Sequence, residues 1–341
     1  MRRLVLKTTT LFLIASGLGS ASLSAHAQVR DVTLLNVSYD VTREFYKDYN
    51  QAFARHWKQT TGETLTLNQS HGGSSKQANS VVEGLPADVI TMNQASDIDI
   101  LAERGKLIPA DWAKRLPYNS SPTASVTVIL VRKGNPKQIK DWSDLARPGV
   151  SVVIPNPKTS GNGRYSYLAA WGSVIKAGGK PEQARALVQK IFANVPVFDG
   201  GGRAATTFAQ RNIGDALATF ESEVPLIQNE FKGDYQVVYP KTTILAENPV
   251  SIVDKVVDKK GTRKQAEAYL QYLYSDEGQA IAVKHNLRPR SPALLKQHQA
   301  KFIGVPTFTV NEVFGGWGKV QAEHFRDGGI YDQITAAGRA K

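Results

Sequence analysis

The chain has 341 residues, 41% of them hydrophobic and 21% charged, the balance of a globular protein with room for one large domain or two medium ones. It contains no cysteine, which excludes disulfides, thiolate metal sites and a lipidated N-terminal cysteine. Its formal charge of +12 falls by three if Arg2, Arg3 and Lys7 leave with a leader, and no basic run interleaved with aromatics points to nucleic acid.

Residues 1–27 read as that leader. "MRRLVLK" is a basic start, "TTTLFLIASGLGSASL" an apolar run, and Ala25 to Ala27 a small-residue cleavage site before Gln28. The run is too brief to span a bilayer, which takes about 18 or more apolar residues. The pattern predicts a secretory signal peptide and a periplasmic protein without an anchor.

The mature region alternates strand and helix patterns, an α/β arrangement with mostly parallel strands. "VTLLNVS" (32–38) reads as a buried strand. The stretch 41–62 then places Phe45, Tyr46, Tyr49, Phe53 and Trp57 at helical spacing, with Gly62 as a stop. A glycine- and serine-rich loop, "QSHGGSSK" (69–76), opens a helix that runs to Gly84, and "ADVITMN" (87–93) is the next strand. "SVTVILVRKGNP" (125–136) is a long apolar strand, "VSVVIPNP" (150–157) another, and 163–179 a helix. "VPVF" (195–198) and "DALATF" (215–220) read as strands, 221–231 as a helix, and 248–257 as an extended segment. From Thr262 the pattern is mainly helical. The extended segments 125–133 and 248–256 bracket a self-contained block, as two crossing strands joining two lobes would.

Four loops share one character. "VSYDVT" (37–42), "QSHGGSSK" (69–76), "PKTSGNGR" (157–164) and "DGGGRAATT" (199–207) each follow a predicted strand and open a predicted helix. In α/β sheets such loops gather outside the carboxyl ends of the strands, where ligands bind. The first N–H groups of a helix lack partners within it, and its aligned dipoles favour negative charge there. Glycine lets the backbone approach a ligand, and serine or threonine adds a hydroxyl. Such ends predict a site for a small oxyanion with no lysine or arginine touching it. Each hydrogen bond to a charged group contributes roughly 1.5–3 kcal/mol. Six or seven, after dehydration of the anion, leave about −8 to −9 kcal/mol, a micromolar or tighter site.

The competing reading is a secreted hydrolase with His71, beside the glycines, as base. "HGG" occurs in some oxyanion holes, but the chain has no G-x-S-x-G elbow. It also lacks a G-x-x-x-x-G-K-[ST] loop, a G-x-G-x-x-G fingerprint and any paired histidine spacing for a metal. His71 is therefore expected to orient the loop, and neither a cofactor nor a metal is called for.

"LLNVSYDVTREFY", "QSHGGSSKQA", "LVRKGNPKQIKDWSDL", "PNPKTSGNGRYSYLAAWG", "FESEV", "ILAENPVSIVDK", "AYLQYLYSDEGQ" and "VFGGW" resemble the periplasmic sulfate/thiosulfate-binding proteins of ABC importers over nearly the whole mature chain. The resemblance implies a two-lobed periplasmic-binding-protein fold (type II). Its lobes would be 28–124 with 248–341, and 125–247. It implies a monomer that catalyses nothing and delivers its anion to a membrane permease. Carried over residue by residue, it assigns the ligand to the N–H of Asp40, the N–H and hydroxyl of Ser74, the helix start at Ser160, Gly161 and Asn162, and the N–H of Gly202. Asn162 stands where sulfate binders often have glycine, and Gly202 where alanine is usual. Sulfate-type members tend to carry a donating tryptophan where this chain has Phe220, and thiosulfate-type members resemble it in "KLIPADW" and "FESEV". Thiosulfate is thus expected to be the main ligand, with sulfate also bound. Molybdate and phosphate stay open as alternatives. Phosphate brings a proton needing an acceptor, and Asp40 is the nearby carboxylate. Arg164 and Arg203, just inside helix starts, are expected to serve loop carbonyls or carboxylates, and Asn93 and Gln94 are further candidates for the cleft wall.

Overall fold

The computed structural model describes residues 32–339, so the leader and its cleavage point at Ala27/Gln28 lie outside the described residues. In chain order the strands are β1 (Val32–Tyr39), β2 (Leu65–Gly72), β3 (Val89–Thr91), β4 (Thr123–Arg132), β5 (Val152–Val153), β6 (Ala216–Phe220), β7 (Tyr235–Val238), β8 (Thr243–Asn248), β9 (Val250–Ile252), β10 (Arg288–Pro289) and β11 (Thr307–Phe308). They form two sheets, one for each lobe of a two-lobed α/β fold.

The first sheet has the order β2-β1-β3-β9. β1 lies between β2 and β3, both parallel to it, and β9 closes the edge antiparallel to β3. Tyr39 pairs with Gly72, and Ser38 with Thr91, so the three parallel strands finish side by side. From β1 the chain goes to β2 on one side and then crosses to β3 on the other, so the strand order reverses beside β1, the switch point where ligands settle in open α/β sheets. The helix Arg43–Thr61 buries Phe45, Tyr46, Tyr49, Phe53 and Trp57, as their spacing predicts, and Gly62 ends it at a φ of 77°. Tyr49 and Phe53 pack edge-to-face with Tyr269 from the helix Arg263–Tyr272. Each buried ring removes enough apolar surface to contribute about 1.5–3 kcal/mol.

The second sheet runs β11-β8-β4-β6-β5, with β7 and β10 also pairing to β4. Its core joins Trp142, Tyr165, Tyr167, Trp171, Phe192 and Phe220. The stretch read as a strand over 150–157 is extended only at Val152–Val153, and 195–198 forms no strand. The tail of the 248–257 segment turns instead into the helix Asp254–Lys260. Short apolar runs do not by themselves distinguish a strand from a packed turn.

The chain passes between the sheets before β4, at Pro249 between β8 and β9, and again around β10. There β4 pairs antiparallel with β8 over Thr123–Val126 and with β10 at Thr123–Ala124. Two ion pairs brace this region, one to the turn after β6 and one between the passages at β10 and β8. Arg288 grips the Glu221 carboxylate through two bonds of 2.6 and 2.8 Å, and Arg290 meets Glu247 at 2.8 Å. After the third passage, β11 pairs parallel with β8, and Phe308, Phe314, Trp317, Phe325, Tyr331 and Ile334 bury into the second core. Residues 307–339 therefore pack with the second sheet, although the helical pattern after Thr262 gave no sign of which sheet they would cover.

Candidate anion-binding site

The three strand ends of the first sheet place Asp40, Ser74 and the Met92–Gln94 turn next to one another. Asp40 opens a short 3-10 turn leading into the Arg43–Thr61 helix. Its carboxylate faces solvent, 61% exposed, and pairs with Arg43 at 3.4 Å. Only the backbone of Asp40 is thus turned toward the strand ends. Beneath it, Ser38 Oγ donates to the Thr91 carbonyl at 3.1 Å and lies 2.7 Å from Thr42 Oγ1, which fixes the exit from β1.

Ser74 is the first residue of the helix Ser74–Val82, capped by Gly73 without a side-chain bond. Its hydroxyl has Met92 Sδ as partner at 3.3 Å, a weak acceptor that leaves the proton free for a better one. The loop before it is braced twice. Gln77 Nε2 donates to Ser70 Oγ at 2.9 Å and to the Ser38 carbonyl at 3.3 Å. The half-buried His71 has Nδ1 3.3 Å from the Tyr39 carbonyl and Nε2 2.6 Å from Gln69 Oε1. Burial lowers its pKa, favouring the neutral ring. A neutral ring carries one N–H: Nδ1–H donates to the Tyr39 carbonyl and holds β1 against β2, while Nε2 accepts from Gln69 with its amide turned to present the NH₂.

In the second lobe, Ser160 caps the helix Gly161–Lys176, its Oγ accepting from the Gly163 N–H at 3.3 Å. Its own N–H goes to the Asn156 carbonyl at 2.9 Å, so Ser160 has a hydroxyl proton to offer and no amide. The N–H groups of Gly161 and Asn162 are first-turn donors without partners inside the helix. The Asn162 side chain is turned into the lobe, donating to Thr219 Oγ1 and to Glu223 Oε2, each at 3.0 Å. Thr219 adds a bond of 2.7 Å to the same carboxylate oxygen. Burial raises the Glu223 pKa, against the lowering effect of those two bonds. Sequence reasoning missed Thr219 and Glu223, although "FESEV" contains the acid; a side-chain network joining a helix start to a strand end has no periodic signature.

Gly202 falls in the first turn of the helix Gly201–Ala209, which packs on β5, β6 and the Gly161–Lys176 helix. The Asn156 N–H donates to the Asp199 carbonyl at 2.7 Å and joins the two loops. Phe220 ends β6, is 5% exposed, and meets Tyr165 edge-on at 5.6 Å.

The lobes are closed on each other. A Cβ built on Gly161 would stand 2.7 Å from Asn93 Oδ1, across the seam. Arg164 donates to the carbonyls of Pro157 at 2.9 Å and Lys158 at 3.3 Å, and it lines a pocket with Ser75, Asp97, Asp99 and Glu103 of the opposite lobe. Its guanidinium is therefore directed at loop carbonyls and an acidic rim. Arg203 is exposed and folds back toward Gly200, with a nitrogen 3.7 Å from where a Cβ there would be. Among the described residues no group of three histidine, aspartate or glutamate side chains could hold a metal ion.

The model of a bacterial extracellular solute-binding protein family matches residues 35–288. The chain belongs to that family. Its relatives within the family carry sulfur-oxyanion names. It is 59% identical over 324 residues to the thiosulfate-binding protein of Pseudomonas aeruginosa, covering 94% of this chain and 96% of the relative. It is 52% identical to the sulfate-binding protein of Escherichia coli, covering 94% and 98%. Among solved structures, the sulfate-binding protein SubI from Mycobacterium tuberculosis superposes with a TM-score of 0.74 at 28% identity, over 85% of this chain and 98% of that one. Solute-binding proteins are receptors and catalyse no reaction, so His71 has no hydrolytic part to play.

Proposed function

We propose that the chain is a periplasmic receptor that shuts its lobes around sulfate or thiosulfate and delivers it to an ABC importer. The observation that carries this reading is the likeness, over nine-tenths of the chain, to receptors named for these two anions. The contacts would be the N–H of Asp40, the N–H and hydroxyl of Ser74, the hydroxyl of Ser160, and the N–H groups of Gly161, Asn162 and Gly202. These are uncharged donors backed by helix dipoles, a match for an oxyanion that carries no proton. Monohydrogen phosphate would need an acceptor, and the outward carboxylate of Asp40 supports discrimination against it.

Thiosulfate is our preferred ligand. Phe220 offers no donor where an indole would, and an aromatic face suits the larger, softer terminal sulfur. The receptor acts as a monomer, exported by the leader 1–27 with cleavage at Ala27/Gln28, and it delivers its anion to a membrane permease. We divide the lobes as 32–124 with 248–306, and 125–247 with 307–339; the pairing of β11 with β8 supports moving the C-terminal segment to the second lobe.

Calorimetric titration of ligand-stripped protein with thiosulfate, sulfate, molybdate and phosphate tests the proposal. Micromolar or tighter binding of the two sulfur anions, with thiosulfate first, is expected. Phosphate or molybdate binding tightest would end the assignment.

A further inference from the structure

The turn after β3 holds a feature that the donor set above does not use. Gln94 is 0% exposed, and neither Oε1 nor Nε2 of its side chain has a hydrogen-bond partner. Its neighbour Asn93 has a buried Oδ1 without a partner, and its Nδ2 makes no hydrogen bond to any described residue. Buried polar atoms in native proteins are nearly always paired, so the unpaired Gln94 amide beside the unpaired Oδ1 of the part-buried Asn93 calls for an explanation. Their position supplies one. Met92, immediately before them, touches the Ser74 hydroxyl at the first-lobe helix start. Asn93 lies against Gly161 at the second-lobe helix start, with Oδ1 and Nδ2 at 2.7 and 2.9 Å from where a Cβ would be. The Asn93 amide thus stands between the two helix starts that the proposed site brings together.

We infer that Asn93 is a further ligand contact and a specificity-determining residue: its side-chain amide donates from Nδ2 to the enclosed anion when the lobes shut. This rests on the sulfur-oxyanion reading above. Oxygen and nitrogen of an amide exchange places by a half-turn of the group, so Nδ2 reaches the position of either atom. A donor at this point favours an anion with no proton. An acceptor there would favour one that carries a proton.

The test titrates parent, Asn93→Ala and Asn93→Asp proteins with thiosulfate, sulfate and monohydrogen phosphate, and records the melting temperature of each without ligand. In Asn93→Ala the affinity for both sulfur anions should fall about tenfold to a hundredfold, the worth of one hydrogen bond to a charged group. In Asn93→Asp, similar in shape to asparagine, sulfate should lose at least about a hundredfold, but phosphate less, because its proton finds the new carboxylate; the sulfate-to-phosphate ratio should drop about tenfold or more. An unchanged affinity in Asn93→Ala, or an equal loss for all three anions in Asn93→Asp, overturns the inference while the parent still binds. A parent that binds neither sulfur anion overturns the functional reading, and this inference with it.

Discussion

Replacing Gly161 with alanine adds one methyl group at the seam between the lobes. Its Cβ would stand 2.7, 2.9 and 3.1 Å from Oδ1, Nδ2 and Cγ of Asn93. These approaches are several tenths of an ångström inside ordinary contact, and the obstructing atoms belong to the opposite lobe. The strain therefore exists only when the lobes are shut, and the second lobe by itself has no reason to unfold. Asn93 ends a short side chain that can partly turn aside, so the cost should lie within the 1–3 kcal/mol typical of overpacking. Because binding requires closure, that cost appears as a loss of about tenfold to a hundredfold in anion affinity. Calorimetry measures the affinity, and small-angle scattering with ligand in excess measures how far the lobes have shut. The ligand-free melting temperature should stay at the parental value. Combining Gly161→Ala with Asn93→Ala should cost less than the sum of the two single losses, since the second change removes what the first collides with. Unaltered affinity in Gly161→Ala, or a large fall in ligand-free stability, would refute this account of the seam.

Gly202→Val should crowd the third helix start and weaken sulfate and thiosulfate binding at least about tenfold with the fold intact, by the cost of a misfitted contact; equal affinity by calorimetry would mean that this helix start lies elsewhere. Phe220→Trp supplies an indole N–H at the end of β6 and should shift the ratio of affinities toward sulfate, and an unmoved ratio would leave Phe220 to core packing alone. Glu223 is held above its ordinary pKa of 4.5, chiefly by burial. Folding therefore favours its protonated form, and that contribution is present below the unfolded value and lost as pH rises through the higher folded one. Glu223→Gln, which keeps an acceptor for Asn162 and Thr219, should lessen the fall in melting temperature as pH rises from about 4.5 to 7; a slope identical to the parent's would remove Glu223 from the pH response.

The helix Arg43–Thr61 was legible because five aromatic rings at 3.6-residue spacing can be buried together in only one conformation. The four helix starts were legible for a related reason: an unpartnered helix start favours glycine and small hydroxyls, a local demand that local composition records, although the 199–207 loop follows no strand. Long-range choices were not. Nothing in residues 307–339 says that Phe308, Trp317 and Tyr331 bury into the second core, because an amphipathic helix fits either sheet. Val152–Val153 falls short of its predicted strand since the loop must turn at once toward the Gly161–Lys176 helix. The bond from Asn162 to Glu223 joins residues 61 positions apart, and the closeness of Asn93 to Gly161 arises only when two lobes meet. Sequence pattern is silent on both.

The central claim is that a doubly charged sulfur oxyanion is held by amide hydrogens, hydroxyls and helix dipoles without a cation in contact. A crystal structure of the ligand-saturated protein tests it most directly. The account predicts N–H and O–H groups from residues 40, 74, 160–162 and 202 within about 3 Å of the anion, the hydrogen-bonding distance, with Arg164 still on its loop carbonyls. A guanidinium or ammonium bonded to the anion, or an anion bound away from these helix starts, would contradict it.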